Sequence, residues 1–289
     1  MKKTVIILIV IFSLPVGAAA QQPDLDSLWG VWKDKTQSDS SRLVAIGGIF
    51  WSGYLYSQPD SAFSLAQMQY HLAEKSGLKM QISDALTNLG ASFLTRGDYP
   101  KALSHYQKSL KIREEIGDKL GIAMSRGDIG IIYQYQGNYP KALDQYQKSL
   151  KIQEEIGDKY GIGVNLNNIG LIYRYQHNYP QSLEHFQRSL KISEEIGFKR
   201  GIAGSMNNLG EIYHEQGHYF KALDHYQRGL KIMEEINDKN GIAEALNCIG
   251  RLYQDQDDFP KALNHYQRSL KIKEEISDKN GIAYSLTNI

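Results

Sequence analysis

Five short words in this chain fall at one fixed spacing. "YPKAL" begins at Tyr99 and again at Tyr139, "YPQSL" at Tyr179, "YFKAL" at Tyr219 and "FPKAL" at Phe259, 40 residues apart each time without an insertion. The text around them repeats as well, so that units 83–122, 123–162, 163–202, 203–242 and 243–282 are near copies. A unit of that size cannot bury its apolar face alone, so a strict period demands stacked neighbours that share one continuous core.

Each unit reads as two helices. In 123–162, Ile129, Ile132 and Tyr133 mark one helical face. Gly137 and Asn138 stop the first helix, and Pro140 opens the second in a first turn that needs no N–H from it. Leu143, Tyr146, Leu150 and Ile152 continue at helical spacing until Gly157, after which Asp158 offers a capping oxygen to the next helix. The predicted fold class is therefore all-α, an α-solenoid of helix–turn–helix repeats. Glycines at 90, 130, 170, 210 and 250 lie inside first helices, where each costs about 1 kcal/mol against alanine. Close approach of a large neighbour is the natural offset. Small residues also recur at 102, 142, 182, 222 and 262, and aromatic rings at 106, 146, 186, 226 and 266.

"NNLGEIYHEQGHYFKALDHYQRGL" resembles a tetratricopeptide repeat, on Leu209, Gly210, Tyr213, Ala222, Tyr226 and Gly229, with the same slots filled in the other four units. The family's usual repeat has 34 residues. Forty is similar to the longer variety of kinesin light chains and of cell-polarity adaptors with Leu-Gly-Asn repeats. The resemblance implies a right-handed superhelix whose first helices line a concave surface that binds peptides or partner helices. Carried onto matching positions, the groove slots here are Asn167, Asn207 and Asn247, then Asn168 and Asn208, then Ile131, Leu171, Glu211 and Arg251, then Arg174 and His214, then Tyr135, Tyr175 and Glu215. The asparagine amides suit either an extended peptide backbone or bonds between neighbouring helices. Ile131, Tyr135, Leu171 and Tyr175 gather apolar character in one part of the array, and Glu211, Glu215, Asp255 and Arg251 gather charge in the other. That pattern predicts a partner with an apolar segment and a basic one.

The flanks are less regular. Residues 1–20 carry Lys2 and Lys3, an apolar run from Val5 to Leu14, and Ala18-Ala19-Ala20, the pattern of a secretory signal peptide cleaved after Ala20. An uncleaved anchor is the alternative. Export to the periplasm or beyond follows from either. Residues 21–42 read as a polar linker, and 43–82 as a degenerate capping repeat in which Ala62 sits one period before Ala102 and Trp51 covers the open core. Residues 283–289 read as the start of a truncated sixth unit. Exported arrays that resemble this one precede a membrane helix and a histidine kinase, a nucleotide cyclase or a DNA-binding output module. The alternative function is therefore the sensor region of a longer signalling protein, with a membrane reached only through such a C-terminal segment.

Charge excludes some classes. The whole chain has 33 Lys and Arg against 32 Asp and Glu, and losing the two leader lysines leaves 31 against 32, a net charge of −1. A nucleic-acid partner, which calls for a basic excess or stripe, is not expected. Cys248 is the only cysteine, so an exported chain has no internal disulfide, and the residue reads as a small buried filler.

One motif points elsewhere. "HEQGH", His214 to His218, has the spacing of a zinc metallopeptidase helix, with Glu215 as general base. Its sister stretches "YQYQGNYP", "YRYQHNYP" and "YQDQDDFP" mark it instead as a helix end and turn, with His218 past the turn. His105, His185, His225 and His265 share one repeat slot, and helices of adjacent repeats lie about 8–10 Å apart, too far to share a metal with ligand bonds of about 2 Å. Lys151 and Glu155 are predicted to form an i,i+4 pair. The expected function is a non-enzymatic scaffold for a protein or peptide partner, without cofactor or metal.

Overall fold

A computed structural model describes residues 24–55, 57–276 and 278–289. The expected signal peptide and its cleavage position lie outside the described residues. The described residues are helical throughout, with no strand among them. In chain order the helices are α1 (Leu25–Lys33), α2 (Asp39–Ile49) running into a π-helical turn (Phe50–Tyr54), α3 (Pro59–Ser76), α4 (Lys79–Thr95), α5 (Tyr99–Ile116), α6 (Lys119–Tyr135), α7 (Tyr139–Ile156), α8 (Lys159–Tyr175), α9 (Tyr179–Glu195), α10 (Lys199–Glu215), α11 (Tyr219–Glu235), α12 (Lys239–Gln254), α13 (Phe259–Glu275) and α14 (Lys279–Asn288). They form two compact units that divide between Gly161 and Ile162.

The period of 40 holds, but each unit starts four residues earlier than the words suggest, at Lys79, Lys119, Lys159, Lys199 and Lys239. The reason is capping. The side chains of Asp118, Asp238 and Asp278 accept from the backbone N–H of Gly121, Gly241 and Gly281 and so open the first helices. Asp98, Asn138, Asn178 and Asp258 open the second helices in the same way. Gly97, Gly137 and Gly217 sit in the left-handed region between the two helices of a pair, with φ of 75°, 70° and 75°. His177 and Asp257 take that position without glycine, at φ 56° and 60°.

The mid-helix glycines are explained by the rings that lie on them. A β-carbon at Gly90, Gly130, Gly170, Gly210 or Gly250 would stand 2.6–2.7 Å from the ring of Tyr106, Tyr146, Phe186, Tyr226 or Tyr266, and all five rings are buried. The first pair inverts this fit. Its first helix carries Phe50 in the glycine slot and its second carries Ala66 in the aromatic slot, and both are fully buried in one cluster with Leu55, Ala62, Leu89 and Ala91. The capping repeat is therefore a full helix pair with the large and small partners exchanged. Trp51 is half-buried against this cluster, edge-on to Phe50 at 5.1 Å.

The predicted linker 21–42 is corrected. Residues 25–33 form α1, and α2 begins at Asp39. Leu25, Leu28, Trp29 and Trp32 recur at helical spacing and pack on Ile46, Ile49 and Leu65. The leucine tips of Leu28 and Leu25 reach within 3.1 and 3.3 Å of where β-carbons on Gly48 and Gly53 would be, so these glycines let α1 lie close. A run of nine residues among polar neighbours looks like linker because its apolar face has meaning only against the surface that covers it.

Candidate functional site: the first-helix face of the C-terminal unit

In the C-terminal unit, positions 204, 208, 211 and 215 of α10 lie on one helical face, and 244, 248 and 251 of α12 with its C-cap Asp255 repeat them. At the centre stands Glu211, only 8% exposed. Arg174 of α8 donates Nη2–H to Glu211 Oε2 at 2.9 Å and Nε–H to Glu215 Oε1 at 3.0 Å. Arg251 of α12 donates to Glu211 Oε1 from the other side, and the Tyr226 hydroxyl of α11 donates to the same oxygen at 2.8 Å. Burial works against the charge of Glu211, but the Arg251 and Arg174 guanidiniums outweigh it and hold the carboxyl at about 2. Cys248 is half-buried, and burial together with the Glu211 carboxylate pushes its thiol well above the usual range. It is a neutral neighbour of the network, in keeping with a packing role.

Two further bonds join α10 to the helices before and after it. Asn208 Nδ2 donates to Asn167 Oδ1 at 2.8 Å, and His214 Nε2 lies 2.8 Å from Asp255 Oδ2. Each spans 41 residues, one repeat plus one, because equivalent first helices run side by side and a one-residue offset turns the two side chains toward each other. Of the two roles left open for the asparagines, Asn167 and Asn208 take the inter-helix one.

The structure separates the sequence-predicted residues into groups. Ile131 and Leu171 are 0% and 3% exposed, so these two are core positions and offer nothing to a partner. Leu171 packs with Phe186, Leu209 and Ile212. Asn168 is fully buried, and Asn167, Asn207 and Asn247 nearly so. Tyr135 stays at the surface, stacked on Tyr99 at 5.5 Å, and Tyr175 is half-buried. Arg174, Glu211, Glu215 and Arg251 come together as one bonded network, and His214 pairs separately with Asp255. Their carboxylates are already occupied: Glu211 by two arginines, Glu215 by Arg174, and Asp255 by His214. A basic segment expected at these three acids would have to compete with those internal partners.

The "HEQGH" stretch divides where the sister repeats do. Helix α10 ends at Glu215, Gly217 has φ 75°, and His218 is the N-cap of α11. The two imidazoles belong to different elements, and that of His214 is turned to Asp255. The four histidines of the shared slot are packing residues. His105, His185, His225 and His265 lie against Phe93, Tyr173, Tyr213 and Tyr253 at 5.3–5.6 Å. Glu155 turns to Lys119, 3.7 Å away, rather than to Lys151. The same pairing of a first-helix lysine with the second helix recurs at Lys79–Glu115, Lys199–Glu235 and Lys239–Glu275, each at 3.0 Å.

One residue of this face was missed. Glu244 repeats Gly204 on α12, and its signal in the sequence is a charge in a slot that holds Met124, Val164 and Gly204 in the three units before it. Burial pushes its carboxyl up to about 7, against the pull of Lys273.

Comparison with known proteins yields family models described as tetratricopeptide repeat, which match residues 81–155, 162–235 and 243–276. No curated protein sequence matches the chain. Among solved structures it is similar to apo RapI, with 16% identity, a TM-score of 0.71 and coverage of 89% of this chain and 94% of that one. BtubC from P. vanneervenii gives 19% identity, a TM-score of 0.63 and coverage of 76% and 93%. Aspartyl phosphate phosphatase F from Bacillus subtilis gives 13% identity and a TM-score of 0.66, over 82% of this chain and 61% of that one. At these identities the likeness is one of fold.

Proposed function

The chain belongs to the tetratricopeptide repeat family, and from that premise we propose that it is an exported, non-catalytic scaffold whose first-helix face binds a segment of a partner protein. The observation that carries this reading is the set of open side chains Arg251, Glu215 and Asp255, held by the buried Glu211 and His214 and by Arg174 of neighbouring repeats. A partner therefore meets polar groups whose conformational entropy is already spent. The packing slots beneath them repeat from unit to unit, while this face changes, as a surface does when it is fitted to one ligand.

Arg251 is the natural contact within it, because its side chain remains 40% exposed after bonding Glu211. Asn208 is half-buried on α10, one turn before Glu211. The test is selection of random dodecapeptides on the full chain, followed by binding to Arg251→Ala, Asn208→Ala and a second-helix control, Lys231→Ala. Loss of ten-fold or more in the first two variants, with the control unchanged, is the expected result. Equal binding by all four proteins overturns the reading. Export rests on residues 1–20, and N-terminal sequencing of the chain from the extracytoplasmic fraction tests it, with Gln21 expected as the first residue.

A further inference from the structure

The slot occupied by Glu244 pairs, within each repeat, with a buried position on the second helix. In the N-terminal unit the two slots hold Asp84 and Arg113, bonded at 2.9 Å. The arginine fork also reaches the Gly121 carbonyl and Ser125, so one guanidinium serves both helices. In the last pair the slots hold Glu244 and Lys273. Lys273 is 3% exposed, and its single ammonium turns away, to Asp278 at 2.9 Å and Asn240 at 3.0 Å. Arg200 of α10 is bonded to Asp238 at 2.8 Å. Among the described side chains the cluster has two cations, each bonded to an aspartate. Among the described residues Glu244 has no cation in bonding range of its own.

Room stands beside it. The same slot one repeat earlier is Gly204, and a β-carbon there would meet nothing within 4 Å. A short niche therefore opens on the first-helix face next to a carboxyl that lacks a counter-ion. Burial raises a carboxyl in that condition to about 7, and an arriving cation favours its charged form.

We infer that Glu244, beside the niche over Gly204, receives a basic side chain of the bound segment, a lysine ammonium or an arginine guanidinium. The inference rests on the reading that this face binds a protein segment, and it adds the chemistry of one partner position. Charge complementarity carries it: among the described side chains Arg200 and Lys273 are bonded to Asp238 and Asp278, and a cation on the partner would match Glu244.

The experiment selects random dodecapeptides at pH 7.5 on the full chain, then measures each binder and its alanine-substituted forms on wild type, Glu244→Gln and Gly204→Val. The expected result is a shared Lys or Arg whose alanine substitution lowers affinity at least ten-fold on wild type and less than two-fold on Glu244→Gln. Gly204→Val fills the niche with the side chain that Val164 carries naturally, and it should weaken the basic peptides while leaving their alanine forms unchanged. If Glu244→Gln fails to fold, the Gly204→Val comparison decides alone. Binders with no shared basic position, or a basic position that costs the same on the variants, overturn this inference and leave the binding face standing. A selection that yields no binder overturns both.

Discussion

Tyr226 donates its hydroxyl to Glu211 at 2.8 Å, from the second helix of a repeat to the first, and so joins the ring that fills the core to the carboxylate that organises the surface. The same ring lies on Gly210, one residue before Glu211. Packing and polar network are therefore coupled through one side chain.

Glu211→Ala leaves Arg174 and Arg251 beside a nearly closed site with no carboxylate between them. Breaking a buried pair by removing one partner costs about 3–5 kcal/mol, and the partial exposure of Arg251 places this case at the lower end. Chemical denaturation of the variant measures it, and a loss below about 1 kcal/mol contradicts a central role for this carboxylate.

Acid should act on the same residue in a definite sense. Glu211 is held at about 2, below its ordinary 4.5, so its contribution is complete above pH 4.5 and is lost as pH falls toward 2. Glu211→Gln should flatten the stability curve across that window. An unchanged acid slope contradicts the assignment.

The half-buried histidines act in a higher window. Burial lowers His105, His225 and His265, so the folded chain holds fewer protons on them than the unfolded chain does. Their contribution is complete above pH 6.5 and declines as pH falls below it. Replacing His225 and His265 by Gln together should reduce the drop in denaturation midpoint between pH 7 and pH 5.

The exchanged pair at the N-terminal end predicts a transplant. Gly130→Phe alone forces a side chain into the ring of Tyr146 and should destabilise by about 1–3 kcal/mol. Adding Tyr146→Ala reproduces the Phe50–Ala66 arrangement and should recover part of the loss. A double-mutant cycle without coupling between the two sites rules out the exchange.

A last pair involves Gly229, which stands where other repeats have Ser109, Ser149, Ser189 and Ser269. Each of those serines donates to a first-helix carbonyl at 2.7–2.8 Å. A β-carbon at Gly229 would lie 2.6 Å from Asn207 Oδ1, the movable end of a side chain, and Asn167 and Asn247 already share their repeats with Ser189 and Ser269. Gly229→Ser should therefore be accommodated, gain the first-helix carbonyl bond and raise the melting temperature. Differential scanning calorimetry checks it, and a lower melting temperature contradicts the equivalence of the repeats.

Repetition made most of this molecule legible before its structure. One period of 40 sets the helix pairs, because capping residues, turn glycines and apolar spacing are local and recur in register. The glycine–aromatic contacts were legible too, since a costly glycine repeated five times asks for a large neighbour. α1 was not, because nine residues show an apolar face only when Ile46 and Leu65 are there to receive it. The site was legible as a set of positions and not as a set of roles. Nothing local distinguishes Ile131 and Leu171, which are core, from Tyr135, which is surface, and nothing local pairs Arg174 with Glu211 and Arg251 one repeat to either side. Ion pairs between repeats depend on the lateral offset of stacked helices, and only the packed chain sets that offset. Local chemistry thus determined the repeat, and tertiary stacking decided which charges are satisfied within it and that Glu244 is the one left over.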